Sequence, residues 1–275
     1  MNIIDDYINE DLPYIDMTTC LQKDLNADAI LEIYCRDDIV MSGGEFAKEI
    51  ALKLGCKSEF VAKDGQKIKA NSLIFKASGC YKNIHKIWKL TQNLLEYMSA
   101  IATYSRKMVD EVRSVNENCQ ILGTRKTFPN AKKFCIKALC DGGAMIHRLN
   151  LSDSILFFEN HRVLYENDAK FYEFLREIKT KFIEKKLIVE ALNLEDGINL
   201  LEICDCIQLD KMSLDDTVKI VKVRNEKYKY VKIISAGGIN LQNAKEYAKT
   251  GIDAIVTSAM YYHTKGDLKA KILKV

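Results

Sequence analysis

The 275-residue chain, 48% hydrophobic and 29% charged, is long enough for one large domain or for a small domain joined to a larger one. Its 41 Lys and Arg against 38 Asp and Glu leave a net +3 scattered along the whole length, which excludes a basic footprint for nucleic acid or a membrane surface. No apolar run reaches the roughly 18 residues of a membrane span, and the opening Met1-Asn-Ile-Ile-Asp-Asp lacks the basic end and apolar stretch of a secretory signal, so a cytoplasmic location is expected.

The first hundred residues read as mixed helix and strand, with a helix over 44–54 that Gly55 terminates. Residues 58–77 read as β-rich, with a turn at Asp64-Gly65 and a second near Asn71. A long helix is predicted over 83–115 from Ile84, Ile87, Leu90, Leu94, Met98 and Ile101 at three- and four-residue spacing. From Gln120 onward short apolar runs at 121–123, 155–158, 187–191, 206–209, 231–234 and 253–256 alternate with helical patterns at 131–140, 168–181, 213–224 and 240–249. That alternation is the signature of parallel βα units. Glu190, Asp210, Ser235 and Thr257 end successive runs at intervals of 20, 25 and 22 residues, the layout of a β/α barrel whose carboxyl-terminal rim holds the chemistry.

Nine dispersed cysteines fit reduced thiols better than a disulfide framework. Cys204 and Cys206, one residue apart on a predicted strand, share a face, but with no second Cys or His pair nearby they read as small buried apolar residues rather than a zinc site.

The densest polar constellation lies between Gly123 and His161: Thr124-Arg125-Lys126-Thr127, Lys137, Gly142-Gly143, His147-Arg148 and Asn160-His161. Arg125 and Lys126 directly follow a predicted strand, where a guanidinium fork and an ammonium point charge suit a carboxylate or phosphate, or form ordinary surface charge. His147 reads equally as a satisfied core histidine or a ligand contact, and a buried Arg148 needs an anionic partner that a ligand can supply. Glu190 and Asp210 can jointly hold Mg²⁺, which leaves positions for water and phosphate, or can pair with Arg125 or Lys126 as barrel-interior acids. Ser235-Ala236-Gly237-Gly238-Ile239-Asn240 follows a strand and is expected to open a helix, so its amides can cradle a phosphate, with Thr257-Ser258-Ala259 completing the cradle. Together these describe a site for a phosphorylated sugar and an anionic acceptor. A non-catalytic oxyanion-binding protein using the Arg/His cluster is the competing reading.

These residues resemble the quinolinate (nicotinate-nucleotide) phosphoribosyltransferases over nearly the whole chain. The resemblance is carried by Glu10-Asp11, Asp16-Met17-Thr18-Thr19, Asn93-Leu94-Leu95, Ile101-Ala102-Thr103, Arg106, Thr124 to Thr127, Lys137-Ala138, Gly142-Gly143, His147-Arg148, Asn160-His161, Glu190, Asp210 and Gly237-Gly238. It implies an α/β fold: an amino-terminal α/β sandwich over 1–105, to which 260–275 return, and an incomplete β/α barrel of fewer than eight strands over 106–259. It also implies a homodimer or an assembly of dimers, phosphoribosyl pyrophosphate as one substrate with a small-molecule acceptor, and Mg²⁺. In that frame Arg106 reaches the partner's site, and Arg125, His147 and Arg148 hold the acceptor carboxylate. Lys126 lies between acceptor and sugar diphosphate, Glu190 and Asp210 serve ribose and Mg²⁺, and Gly237 and Gly238 bind the 5-phosphate.

Three departures from the quinolinate pattern matter. Phe158 stands where those enzymes carry a lysine, Lys211 follows Asp210 where they carry an asparagine, and Ala236 and Ser258 alter the phosphate loops. These changes resemble the ModD branch, pyrophosphorylases associated with molybdate transport. An ordinary quinolinate phosphoribosyltransferase of NAD biosynthesis is the alternative, with Lys211 restoring the missing cation.

Overall fold

In the computed structural model, which describes residues 3–262 and 266–275, the chain divides into two compact units. The first contains Met1–Arg106, Pro129–Gly143 and His263–Val275, and the second Lys107–Phe128 and Ala144–Tyr262. The segment Pro129–Gly143 thus clusters with the first unit although barrel residues flank it in sequence.

The first unit is built on the strand Asp28–Cys35, whose alternation buries Ala29, Leu31, Ile33 and Cys35 on one face. It pairs antiparallel with Leu73–Cys80 on one side and with Leu268–Lys274 on the other, and Lys57–Val61 lies beyond Leu73–Cys80. Both expected turns are present: Gly65 has φ +81° and Asn71 φ +64°. The long helix runs over Tyr81–Arg113 and buries the predicted stripe from Ile84 to Ile101.

The second unit is a seven-stranded, wholly parallel sheet: β1 Gln120–Gly123, β2 Met145–Ile146, β3 Ile155–Phe157, β4 Leu187–Ala191, β5 Cys206–Asp210, β6 Lys232–Ala236 and β7 Ala254–Thr257. The spatial order is β2-β1-β7-β6-β5-β4-β3. Leu122 of β1 and Leu156 of β3 nevertheless share one apolar cluster with Ile188, Cys206, Ile234, Ala236, Ala254 and Val256. Side chains from both ends of the strand order therefore meet inside, so the sheet is curled into an incomplete barrel. Helices Asp168–Lys181, Leu194–Leu200, Leu214–Lys227 and Ala244–Lys249 make the crossovers after β3 to β6. Asn167, Asn193 and Ser213 cap the first three by accepting a hydrogen bond from the amide three residues on.

Two local expectations are corrected. Cys204 precedes β5 rather than lying on it, so it does not alternate with Cys206 along a strand; both thiols are buried and pushed up by desolvation, Cys204 to about 12. Among the described residues no group of three or more His, Cys, Asp or Glu is arranged to hold a metal ion. The helix expected over 240–249 starts only at Ala244, because the amide of Asn240 donates to Asn243 Oδ1 and forms a side-chain turn instead.

Candidate active site

Register and alternation decide which rim residues face the barrel interior. Ile188, Cys206, Ile234 and Val256 belong to the interior cluster, so Glu190, Gln208, Asp210 and Ala236, at even steps from them, face the same way. Glu190 lies in register with Gln208, and Asp210 one step further along the interior face with Ala236. Ser235 and Thr257 fall on the opposite face. The Ser235 hydroxyl is buried without a partner there, and the Thr257 hydroxyl donates to the Ile239 carbonyl (2.6 Å) while accepting from the Ala259 amide (3.0 Å). Both side chains are therefore separated from the interior carboxylates, and Thr257 instead staples the loop after β7 to the loop after β6.

The Gly-Gly turn is sterically required at its first position. Gly237 has φ +84°, and a Cβ there would lie 2.5 Å from Lys211 Cγ, 2.6 Å from Asp210 Oδ1 and 2.8 Å from the Lys211 nitrogen. Gly238, at φ +75°, faces open space. The Lys211 amide donates to the Ala236 carbonyl (2.9 Å), with Lys211 itself at φ +53°, so the ends of β5 and β6 form one tight junction. Among the described residues no acceptor takes the Gly237 or Gly238 amide hydrogens. These are two loop donors of the kind that form an anion-binding concavity, without help from a helix terminus.

Charges around this junction form no ion pairs among the described residues. Glu190 and Asp210 make no ion pair among the described residues; desolvation raises the Glu190 carboxyl, its hydrogen bond with Gln208 lowers it, and Asp210 raises it again. Gln208 is 5% exposed and donates from Nε2 to Glu190 Oε2 (2.8 Å). Arg148 is only 8% exposed and forms no ion pair among the described residues; burial and the nearby Arg125 depress its basicity, and the Asp153 carboxylate offsets part of that. Beside it, burial and Arg148 together push His147 down to about 4, so its imidazole is neutral at pH 7, and its buried Nε2 has no partner. His147 is thus not a satisfied core histidine. Arg125, Lys126 and Lys211 are exposed and unpaired among the described residues, and the Lys126 carbonyl is held by the Tyr262 hydroxyl (2.7 Å).

Other members of the sequence constellation are structural. Lys137 Nζ is paired with Asp64 (2.8 Å) and Asp141 (2.6 Å) in the first unit. Gly142 allows close packing, since a Cβ there would lie 2.5 Å from the Ala102 carbonyl oxygen. Arg106, also in the first unit, lies against Gly143 with Nη2 directed at the Asp141 carbonyl (3.5 Å) and its Nε buried without a partner. His161 Nδ1 accepts from the Phe158 amide (3.0 Å), and the Phe158 ring packs against the interior cluster beneath the rim. Ser258 is half-buried and its carbonyl accepts from the Tyr261 amide. Gln208 was not anticipated, although a lone polar residue two before Asp210 in an apolar run was a readable signal of an interior contact.

A curled parallel half-barrel whose strands β1, β2, β4, β5 and β6 are followed or ended at the carboxyl-terminal rim by Arg125 and Lys126, His147 and Arg148, Glu190, Asp210 and the glycine junction has the layout of an enzyme acting on phosphorylated ligands. The family model of the quinolinate phosphoribosyl transferase C-terminal domain matches residues 101–269, and that of the N-terminal domain residues 16–99. The chain belongs to this family and is a phosphoribosyltransferase. It is 31% identical over 277 residues to a protein of Pasteurella multocida named "Putative pyrophosphorylase ModD", covering 99% of this chain and 97% of that one. Among solved structures, the nicotinate-nucleotide pyrophosphorylase of Francisella tularensis superposes with TM-score 0.89 at 26% identity, covering 98% of this chain and 95% of that one. That of Ehrlichia chaffeensis gives 0.89 at 25%, covering 98% and 97%.

Proposed function

We propose that this phosphoribosyltransferase is Mg²⁺-dependent and of the ModD type, transferring ribose 5-phosphate from phosphoribosyl pyrophosphate to a nitrogen heterocycle or related small anion and releasing pyrophosphate. The observation that carries the reading is Arg148: its guanidinium is 8% exposed and forms no ion pair among the described residues, and the Asp153 carboxylate offsets only part of what burial and Arg125 cost it, so an anionic ligand beside it would be stabilised. Two interior carboxylates, Glu190 and Asp210, fit Mg²⁺ because both are hard oxygen donors and neither forms an ion pair among the described residues. When bound there, Mg²⁺ supplies charge neutralisation to the departing diphosphate.

The remaining work falls to side chains of this protein. The Gly237 and Gly238 amides receive the 5-phosphate, and Glu190 holds the ribose hydroxyls. Arg125, Arg148 and neutral His147 orient the acceptor, and Lys126 stands between acceptor and diphosphate. The acceptor ring nitrogen supplies the electron pair of the new bond to C1 of ribose as the bond from C1 to the pyrophosphate oxygen breaks. Positive charge develops on the sugar in passing, so orientation and preorganised charge account for the rate and no protein nucleophile is needed. We further propose a homodimer in which Arg106 serves the partner's site.

Quinolinate is the second candidate acceptor, favoured by exposed, unpaired Lys211 at the β5–β6 junction. Against it, Phe158 places an apolar ring beside the interior cluster. An oxyanion sensor would have no use for both Glu190 and Asp210. Calorimetric titration with phosphoribosyl pyrophosphate and Mg²⁺ tests the proposal: tight binding that is measurably weakened in Glu190→Ala and Asp210→Ala supports it, and no binding by folded wild type overturns it.

A further inference from the structure

Glu190 is held at two points. Its carboxylate takes the hydrogen bond from Gln208, and its backbone carbonyl accepts from Arg162 Nη2 at 2.8 Å. Arg162 ends the short helix Glu159–Arg162, which begins directly after Phe158, and it is 8% exposed. Its guanidinium forms a forked pair with Asp196, at 3.1 Å from Nη1 to Oδ1 and 2.8 Å from Nη2 to Oδ2, and lies 4.7 Å from the Phe171 ring centroid.

Asp196 is 4% exposed and organises the rest of the loop after β4. Its Oδ2 accepts from the Leu192 amide (2.8 Å), its Oδ1 accepts from the Tyr172 hydroxyl, and its own amide donates to Asn193 Oδ1 (3.0 Å). One buried ion pair therefore fixes the backbone at positions 190 and 192, and ties it to the segment following β3 that carries Phe158 and Glu159. A buried ion pair of this kind contributes little stability over a well-packed apolar pair, so what it adds here is direction. A guanidinium can bridge a carboxylate and a carbonyl at fixed angles, whereas an ammonium acts as a single point.

We propose that Arg162, anchored by Asp196, is a positioning residue that sets Glu190 for the sugar, so that it acts on phosphoribosyl pyrophosphate through Glu190 alone. The inference rests on the role given to Glu190 above. The test is a double-mutant cycle on the full chain, read as the calorimetric Kd for phosphoribosyl pyrophosphate with Mg²⁺ in wild type, Arg162→Lys, Glu190→Ala and the double variant. Arg162→Lys is expected to weaken binding about tenfold in the wild-type background and less than twofold in the Glu190→Ala background. Equal weakening in both backgrounds overturns the proposal and makes the pair a packing feature.

If Arg162→Lys does not fold, as judged by near-ultraviolet circular dichroism, Asp196→Asn serves in its place, since it keeps the shape of the anchor and removes its charge. The expected loss is then about threefold, with the same dependence on Glu190, and a loss independent of Glu190 again overturns the proposal. Wild type that binds no phosphoribosyl pyrophosphate overturns the functional reading itself, together with this inference. Wild type that binds but shows no coupling overturns the inference alone.

Discussion

At the scale of single residues, His147 and Arg148 show how burial and a neighbouring guanidinium together keep an imidazole neutral. The His147 imidazole titrates at about 4, against 6.5 when unperturbed, because burial and Arg148 both oppose its charge. The unfolded chain therefore binds the proton first as pH falls. Stability from this site is full above about pH 6.5, declines from there to about pH 4, and levels off below, a loss on the order of 3 kcal/mol. His147→Gln is expected to flatten that part of the acid profile, as measured by urea unfolding between pH 7 and 4; an unchanged slope would place the acid sensitivity elsewhere. Phe158→Lys puts a cation beside the interior cluster and is expected to strengthen quinolinate binding at least tenfold, as read by calorimetry. Wild type that already turns over quinolinate, with no gain in the variant, would show that Phe158 does not select the acceptor. In the sequence, Lys126 and Lys137 look alike. Pairing distinguishes them: Lys137 lies between Asp64 and Asp141, and Asp64 is 73 positions away. Arg162 was hidden for the same reason, since its partner Asp196 lies 34 positions further on.

At the scale of elements, six of the seven barrel strands were legible because each is an apolar run bounded by polar residues, whereas the two-residue strand Met145–Ile146 is too short to show a pattern and was missed. Their ends moved by only a few positions, as from 231–234 to Lys232–Ala236. Which face each rim residue occupies was less legible, because even spacing along the chain sets the rim but not the parity. Glu190 and Asp210 face the interior, while Ser235 and Thr257 fall on the other side. The proposed phosphate cradle accordingly depends on backbone at the β5–β6 junction rather than on hydroxyls. Gly237→Ala would force a Cβ against Asp210 and Lys211 while straining a left-handed φ. The expected result is at least a hundredfold loss of phosphoribosyl pyrophosphate affinity with the fold retained, checked by calorimetry beside circular dichroism. Gly238→Ala has room for its methyl and meets only the backbone penalty, so its loss should be much smaller. Equal losses at both positions would remove the steric explanation.

At the scale of the whole molecule, the first unit gathers three stretches of chain, and the sheet closes only when the last of them arrives. Periodicity could assign the long helix and the turns, but a strand's alternation names its buried face and not its partner. That the last residues return to the first unit was foreseen only as something the family resemblance implies, and their pairing with Asp28–Cys35, some 240 positions away, was not foreseen. That last strand is more than a sheet edge. Leu268 is 3% exposed, its carbonyl accepts from Gln92 Nε2 (2.9 Å), and its amide donates to Glu96 Oε1 (3.0 Å). Ending the chain at residue 267 would expose one side of Asp28–Cys35 and leave Gln92 without that acceptor. Losing a buried leucine costs about 2–3 kcal/mol, and the ladder and the broken polar contacts add to it. With about 2–4 °C per kcal/mol for a chain of this size, the midpoint should fall by about 10 °C, as followed by far-ultraviolet circular dichroism. An unchanged midpoint would mean that the central strand is held by Leu73–Cys80 alone, and that the return of the chain contributes nothing to the stability of the first unit.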